Sequence, residues 1–222
     1  MRPANPRAKP SLPARVTLRQ DQKRRTRELL LAQAYTLFEE AGFERATMRE
    51  LAARSGVALG TIFKHFPDKH ALLGAAFRQA IASRVDEAFA TLPAGDLSAR
   101  LLHLTRRLYR FYADRPSLSR VLVKELPVLE GPEGEAVRAQ AISFLHRVGA
   151  LFGEAVASGD LRADTDLVAA VAAYWSFYLL GLLSGLAERR FDVEGQLEFV
   201  ARMLHQHLRS ISAHAPRKKE RT

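Results

Sequence analysis

The residues in this chain with the clearest chemistry lie close together. Gly60, Thr61, Lys64 and His65 fall on the outer side of a short helix that starts near Ala58. A bare backbone, a hydroxyl, a cation and an imidazole on one surface suit the wall of a nucleic-acid groove. There the backbone must come close, the hydroxyl can bond a base edge and the cation can neutralise a phosphate. They do not suit covalent or acid–base catalysis. The chain holds no H-E-x-x-H, G-x-S-x-G or P-loop pattern, and its carboxylates stand singly or on charged helix faces. His205 and His207 are two residues apart and leave a helix on different faces, and there is no cysteine. No catalytic residue, metal site or cofactor is therefore expected.

The segment around these residues, Thr47 to Phe66, predicts two short helices with a tight turn between them. Thr47 and Glu50 have capping-box spacing, in which the hydroxyl takes an N–H near position 50 and the glutamate reaches back. Met48, Leu51 and Ala52 share one face, and Gly56 stands where the chain must turn left-handed. Ala58 and Ile62 face inward from the second helix. Phe66-Pro67 ends it, because a residue before proline is forced out of the helical region. This is a helix-turn-helix pattern, whose second helix enters the major groove.

The segment resembles the reading head of the tetracycline-repressor (TetR) family of bacterial transcription regulators. The likeness covers about residues 25–75 and rests on Ala41-Gly42-Phe43, Thr47, Leu51-Ala52, Ser55-Gly56-Val57, Gly60-Thr61, His65-Phe66, Lys69 and Leu72-Leu73. It implies a cytoplasmic homodimer that binds a palindromic double-stranded DNA operator, usually as a repressor, and answers a small-molecule effector held in the C-terminal domain. Carried over, Thr47 would hold a phosphate, and Ala58, Leu59, Gly60 and Thr61 would lie at base edges or adjacent backbone. Phe63, Lys64 and His65 would face phosphates, with Lys69 capping the contact from the next helix. Ala58, Leu59 and Phe63 depart from the family pattern. The first lacks the usual hydroxyl, the second offers only apolar contact, and the third lacks the tyrosine hydroxyl that would bond a phosphate.

The rest of the chain is helical by pattern, with no competing strand alternation, giving an all-α fold of about nine helices. A disordered basic arm is expected over 1–20, the helix-turn-helix domain over 21–73 and a ligand-binding and dimerisation domain over 74–213. A basic tail follows over 214–222. The first long helix is expected from Asp21 to Ala41. His103, Phe111, Tyr112, Phe144, Tyr174, Phe177 and Tyr178 are candidates for an apolar effector pocket with a few polar handles. Leu167–Ala187 runs 21 residues without a charge and contains a G-x-x-x-G at Gly181 and Gly185. Its length allows a membrane anchor. Its place among amphipathic soluble helices argues instead for a doubly buried helix, with no membrane partner. With the last helix it predicts a dimer seam of Gly181, Ser184, Gly185, Leu197, Val200, Leu204 and Leu208.

Hydrophobic residues make up 47% and charged residues 26% of the chain, an ordinary globular balance. The net charge of +10 is unevenly placed. Nine Lys/Arg against Asp21 give residues 1–27 a charge of +8, and residues 217–221 add +3, which leaves −1 for the body. Residues 28–73, the part of the reading head beyond that basic run, also sum to −1. A polyanion approached from the N-terminal end fits this layout. A sequence-tolerant architectural DNA binder without a ligand is the alternative class. The arm is expected to offset the hydroxyls missing at Ala58 and Phe63 through the minor groove or the DNA backbone. Deleting residues 1–20 should then weaken operator binding and flatten its dependence on salt, measured by titrations at several salt concentrations; unchanged affinity would refute that role.

Overall fold

Pro13 is the last of four prolines near the start, and nothing in the following ARVTLRQDQKRRTR blocks a helix. Helix α1 accordingly runs Ala14–Ala41, seven residues earlier than the Asp21 start expected from the sequence. The end of the expected arm, residues 14–20, is therefore helical. The structure, a computed structural model, describes residues 14–213. The arm before Ala14 and the tail from residue 214 lie outside the described residues. Leu30, Ala34, Leu37 and Phe38 form the buried face of α1, and Gly42 ends it at φ +80°.

Thr47 caps α2 (Met48–Ser55), its Oγ1 accepting the Glu50 N–H at 3.1 Å. The reciprocal half of the capping box does not form. The Glu50 carboxylate instead accepts from Arg54, one turn on, which also reaches Glu40 on α1. A charge-assisted bond outcompetes the weaker return to a backbone N–H. Gly56, at φ +66°, makes the turn into α3 (Leu59–His65). Phe66 is extended before Pro67, and Asp68 caps α4 (Lys69–Ala90) by accepting the Ala71 N–H at 2.8 Å.

Helix α4 leaves the head and becomes part of a second bundle, with α5 (Leu97–Asp114), α6 (Pro116–Glu125), a single 3₁₀ turn (Leu126–Val128), α7 (Gly131–Ala157), α8 (Leu167–Ala187) and α9 (Val193–Ile211). Asp96, Asp166 and Asp192 cap α5, α8 and α9 through their side chains. Nine α-helices make up the described residues, and the one β feature among them is an isolated bridge, Leu161 to Ser212, that ties the α7–α8 loop to the end of α9.

The small residues of α8 serve the protomer's own core. Gly181 lies against Tyr109 of α5 and Val200 of α9, and Gly185 against Phe191 and Gln196. Leu197, Val200 and Leu204 are buried in the same seam, while Ser184 and Leu208 are half-buried. Gly181, Gly185, Leu197, Val200 and Leu204 of the expected dimer set are thus used within the protomer: a small-residue stripe marks close helix approach, and here the approaching helices belong to one chain. The free apolar surface of α8 lies on another face. Val168 is 81% exposed, Leu180 46% and Leu183 50%, with Ala172 and Ser176 between them.

A Cβ at position 181 would collide with the Tyr109 hydroxyl, which donates to the Tyr178 carbonyl at 2.6 Å, and would sit 2.8 Å from Val200 Cγ2. The G181A variant should therefore lose about 1–3 kcal/mol of stability by urea unfolding. Gly153 in α7 has nothing within 4 Å of the same added atom. G153A should gain about 0.5–1 kcal/mol in the same experiment, from helix propensity alone.

Candidate nucleic-acid interface and effector cavity

The outer surface of α3 is assembled by what its inner surface uses up. Ile62 and Phe66 are fully buried, which turns Ala58, Gly60, Phe63 and Lys64 outward and leaves Leu59, Thr61 and His65 half-buried beside them. Ala58 is the N-cap of α3 and has no side chain to close it, so the Thr61 and Ile62 N–H groups bond the Ala58 carbonyl alone. Gly60 is helical with open space beyond it, so the fold itself does not require glycine there. What its missing side chain provides is access to the backbone from outside. Phe63 is 48% exposed, an aromatic ring with no hydroxyl on the surface that would meet a sugar or a base edge.

Two residues expected at phosphates also make contacts within the fold. Thr47 Oγ1 is the α2 cap acceptor, which leaves only its O–H for an outside acceptor. The Lys69 ammonium donates to the Phe43 carbonyl at 2.9 Å and the Glu44 carbonyl at 3.2 Å, and lies 4.4 Å over the Phe43 ring. Lys69 thus fastens α4 to the turn after α1, a bracing role that charge alone in the sequence did not reveal. His65 sits beside the middle of α1. The Arg27 guanidinium lies 4.4 Å over the Phe66 ring, and its Nη1 reaches the His65 carbonyl at 3.5 Å. Burial, and then the charges of Arg27 and Lys23, push the His65 imidazole below its ordinary pKa, so it is neutral near pH 7.

Sequence reasoning missed Arg49, which is exposed on α2 two residues past Thr47 and has no ion pair among the described residues. It also missed that Arg19, Lys23 and Arg27 recur every four residues on helical α1, so they rise along one face toward His65. The signal for the latter was present in the spacing, but the neighbouring prolines obscured it.

In the second bundle, α4 to α8 line an open-sided cavity of about 410 Å³. Phe77, Ile81, Leu108, Leu122, Phe144 and Trp175 supply much of its apolar wall. The polar lining groups are few. Arg138 donates to the Leu129 carbonyl at 2.9 Å, and Gln140 donates to the Arg78 carbonyl at 3.1 Å. Burial holds the Tyr112 and Tyr178 phenols far above their ordinary pKa. They therefore meet a ligand as neutral hydroxyls, able to bond a carbonyl or hydroxyl but not to repel an anion.

Of the residues expected in the pocket, Tyr112, Phe144 and Tyr178 line this cavity and the other four do not. His103 lies at the far end of α5, 3.1 Å from Thr91 Oγ1. Phe111 faces a wider polar groove between α1, α4 and α5 that also holds the Arg115–Glu39 ion pair. Tyr174 is buried, bonded to Thr105 and the Leu101 carbonyl. Phe177 packs edge-on to His207 at 6.0 Å. Tyr174 and Tyr178 are one turn apart, but only the second reaches the level of the void; Phe177 points a quarter-turn away, toward α9.

The family model for bacterial regulatory proteins of the tetR family matches residues 30–76, the span from the core of α1 through α2 and α3 into α4. The matched span is a reading head of the tetR-family type. A relative from Mycolicibacterium smegmatis, the HTH-type transcriptional repressor KstR, is 27% identical over 191 residues, which cover 82% of this chain and 88% of that one. The solved structure of Thermus thermophilus FadR, a TetR-family transcriptional repressor in complex with lauroyl-CoA, is similar with a TM-score of 0.67 at 24% identity, covering 88% and 98% of the two chains. The transcriptional regulator FadR from Bacillus subtilis, in complex with stearoyl-CoA, is similar with a TM-score of 0.66 at 17% identity, covering 80% and 96%. The all-α architecture is thus that of tetR-family regulators.

In this tetR-family head the titration of His65 reports its cationic neighbours. Its proton NMR titration should have a midpoint below 6.5, and the R27Q variant should move it upward. Because the folded state disfavours protonation, the contribution of His65 to stability is present above about pH 6.5 and is lost as the pH falls. A midpoint at or above the ordinary imidazole value would refute the assignment.

Proposed function

We propose that the chain is a transcriptional repressor that binds a palindromic operator as a homodimer and is released by a small apolar effector. The observation that carries this reading is that one helix serves both sites. On α4, Leu72 and Leu73 are buried at the reading head, and Phe77 and Ile81 line the cavity. A ligand that occupies the cavity therefore acts on a helix that also sets the position of α3. By population shift, an effector that prefers a dimer with its heads wrongly spaced lowers operator affinity by the size of that preference. The two α3 helices of the operator-bound dimer sit about 34 Å apart, in successive major grooves.

The exposed α8 face (Val168, Leu180 and Leu183) supports association with a second copy, since a charge-free stripe along a 21-residue helix is a surface water does not favour. The volume and apolar wall of the cavity suit an alkyl or acyl chain. The CoA thioesters bound by the two FadR proteins make a fatty acyl-CoA the first class to test. The near-neutral charge of the head argues against a purely electrostatic DNA binder. Affinity must come from register and groove contacts at α3, reinforced by cations from α1. Such a regulator works in the cytoplasm.

The test is selection from a random-sequence DNA pool followed by titration. The wild-type protein should enrich an inverted repeat, and lauroyl-CoA should lower its affinity for that repeat by about tenfold or more. Substituting Arg49 with alanine should weaken binding across sequences and reduce the salt slope by about 1. Enrichment of no sequence, with steep salt dependence, would overturn the repressor reading.

A further inference from the structure

A second connection between the bundle and the reading head bypasses α4. Glu133 lies in the first turn of α7, next to the cavity-lining residues Val137 and Arg138, and its side chain is only 16% exposed. Its Oε1 accepts a short bond from Arg27 Nη2 of α1. The same guanidinium stacks on Phe66 and reaches the His65 carbonyl, which together form the C-terminal end of α3. A carboxylate in the effector domain thus holds the end of the reading helix through one arginine. The other carboxylate oxygen, Oε2, is 3.5 Å from Arg78 Nη2 on α4, a long bond. Arg78 Nε is buried and, among the described residues, has no hydrogen-bond partner. Glu133 is therefore shared unequally between two arginines, one satisfied and one with a buried donor to spare. A buried N–H without an acceptor is costly, so Arg78 gains from any shift that brings the carboxylate closer. Gln140, which lines the cavity, also bonds the Arg78 carbonyl, so the start of α7 and the Arg78 turn border the same void.

We propose that Glu133 is a positioning residue for the reading helix: its carboxylate holds Arg27 in the operator-binding setting, and filling the cavity passes that carboxylate to Arg78. This deepens the function proposed above and rests on it for the link to the effector. Neither the α7 start nor α3 needs to unfold. Passing the carboxylate by about one hydrogen-bond length frees the Arg27 guanidinium from its anchor and loosens the end of α3.

The experiment uses the full chain in two arms. The first measures amide hydrogen exchange over residues 61–66 without DNA or ligand. Exchange there should quicken in E133Q and in R27Q, and the double variant should be no faster than either single one. E135Q, an exposed glutamate one turn-position away, should match the wild type. If E133Q alters exchange only within α7, or if the double variant is additive, the proposal is overturned. If E133Q does not fold, R27K, which keeps the charge but loses the planar stack on Phe66, is read in the same way.

The second arm measures affinity for the DNA selected by the wild type, with and without lauroyl-CoA. E133Q should bind about threefold to tenfold more weakly without ligand, and the factor by which lauroyl-CoA releases DNA should shrink by the same amount. Weaker binding with an undiminished release factor would overturn the passing of the carboxylate to Arg78. Should the wild type select no DNA, or lauroyl-CoA release none, the earlier functional reading fails, and the exchange arm still decides the role of Glu133.

Discussion

The structure depends on the burial of α4 from all sides. Every residue from Ala71 to Phe77 is buried, whereas an ordinary surface helix hides only a stripe. The head occupies one side through Leu72 and Leu73, and the α6–α7 connection occupies another. At Gly74 a Cβ would come within 2.5 Å of Leu129 Cδ2, so glycine is what lets that connection close over the helix. A helix enclosed in this way cannot pivot within one domain independently of the other. Packed interiors have few alternative arrangements, so a change at the cavity end is passed on rather than absorbed.

Charge and apolar surface are kept apart along this axis. The cavity wall carries almost no charge, the helices of the head from residue 28 on are close to neutral, and a row of cations, Arg19, Lys23 and Arg27, stands on α1. Within the head, ion pairs do mechanical work: Arg54 joins α2 to Glu40 of α1, and Arg115 joins the α5–α6 corner to Glu39. Pairs this exposed contribute little to stability by themselves. Their effect is to fix the angle at which α1 crosses the head, and hence where the Arg19–Lys23–Arg27 row stands relative to α3.

Local signals were legible in the sequence because they act through adjacent residues. The Thr47 cap, the left-handed Gly56, the Phe66-Pro67 stop and the Asp68 cap all form where the spacing put them. Signals that depend on helix phase were not. Tyr174, Phe177 and Tyr178 are equivalent in a sequence window, but one bonds α5, one packs toward α9 and one lines the void. Gly181 and Gly185 announced close approach without saying to what, and the partner proved to be the chain itself. Charge was ambiguous in the same manner. Lys69 carries the positive charge a phosphate contact needs, yet two carbonyls of its own fold claim it, and nothing in its spacing distinguishes the two uses.

The cavity is the point at which the fold departs from its own packing rule. Interiors fill to crystal-like density and leave few voids larger than a water molecule. An apolar space of about 410 Å³ beside α4 therefore forgoes dispersion contacts that larger side chains would have made. Its walls hold the means to fill it: Val123, Val137 and Ala141 are small residues on α6 and α7 where leucine or phenylalanine would reach inward. A void kept open in this way stabilises whichever conformation a ligand completes, by an amount set by ligand concentration over affinity. Because α4 and the start of α7 both border it, completing the void and setting the end of α3 are coupled through two separate contacts, one apolar and one ionic.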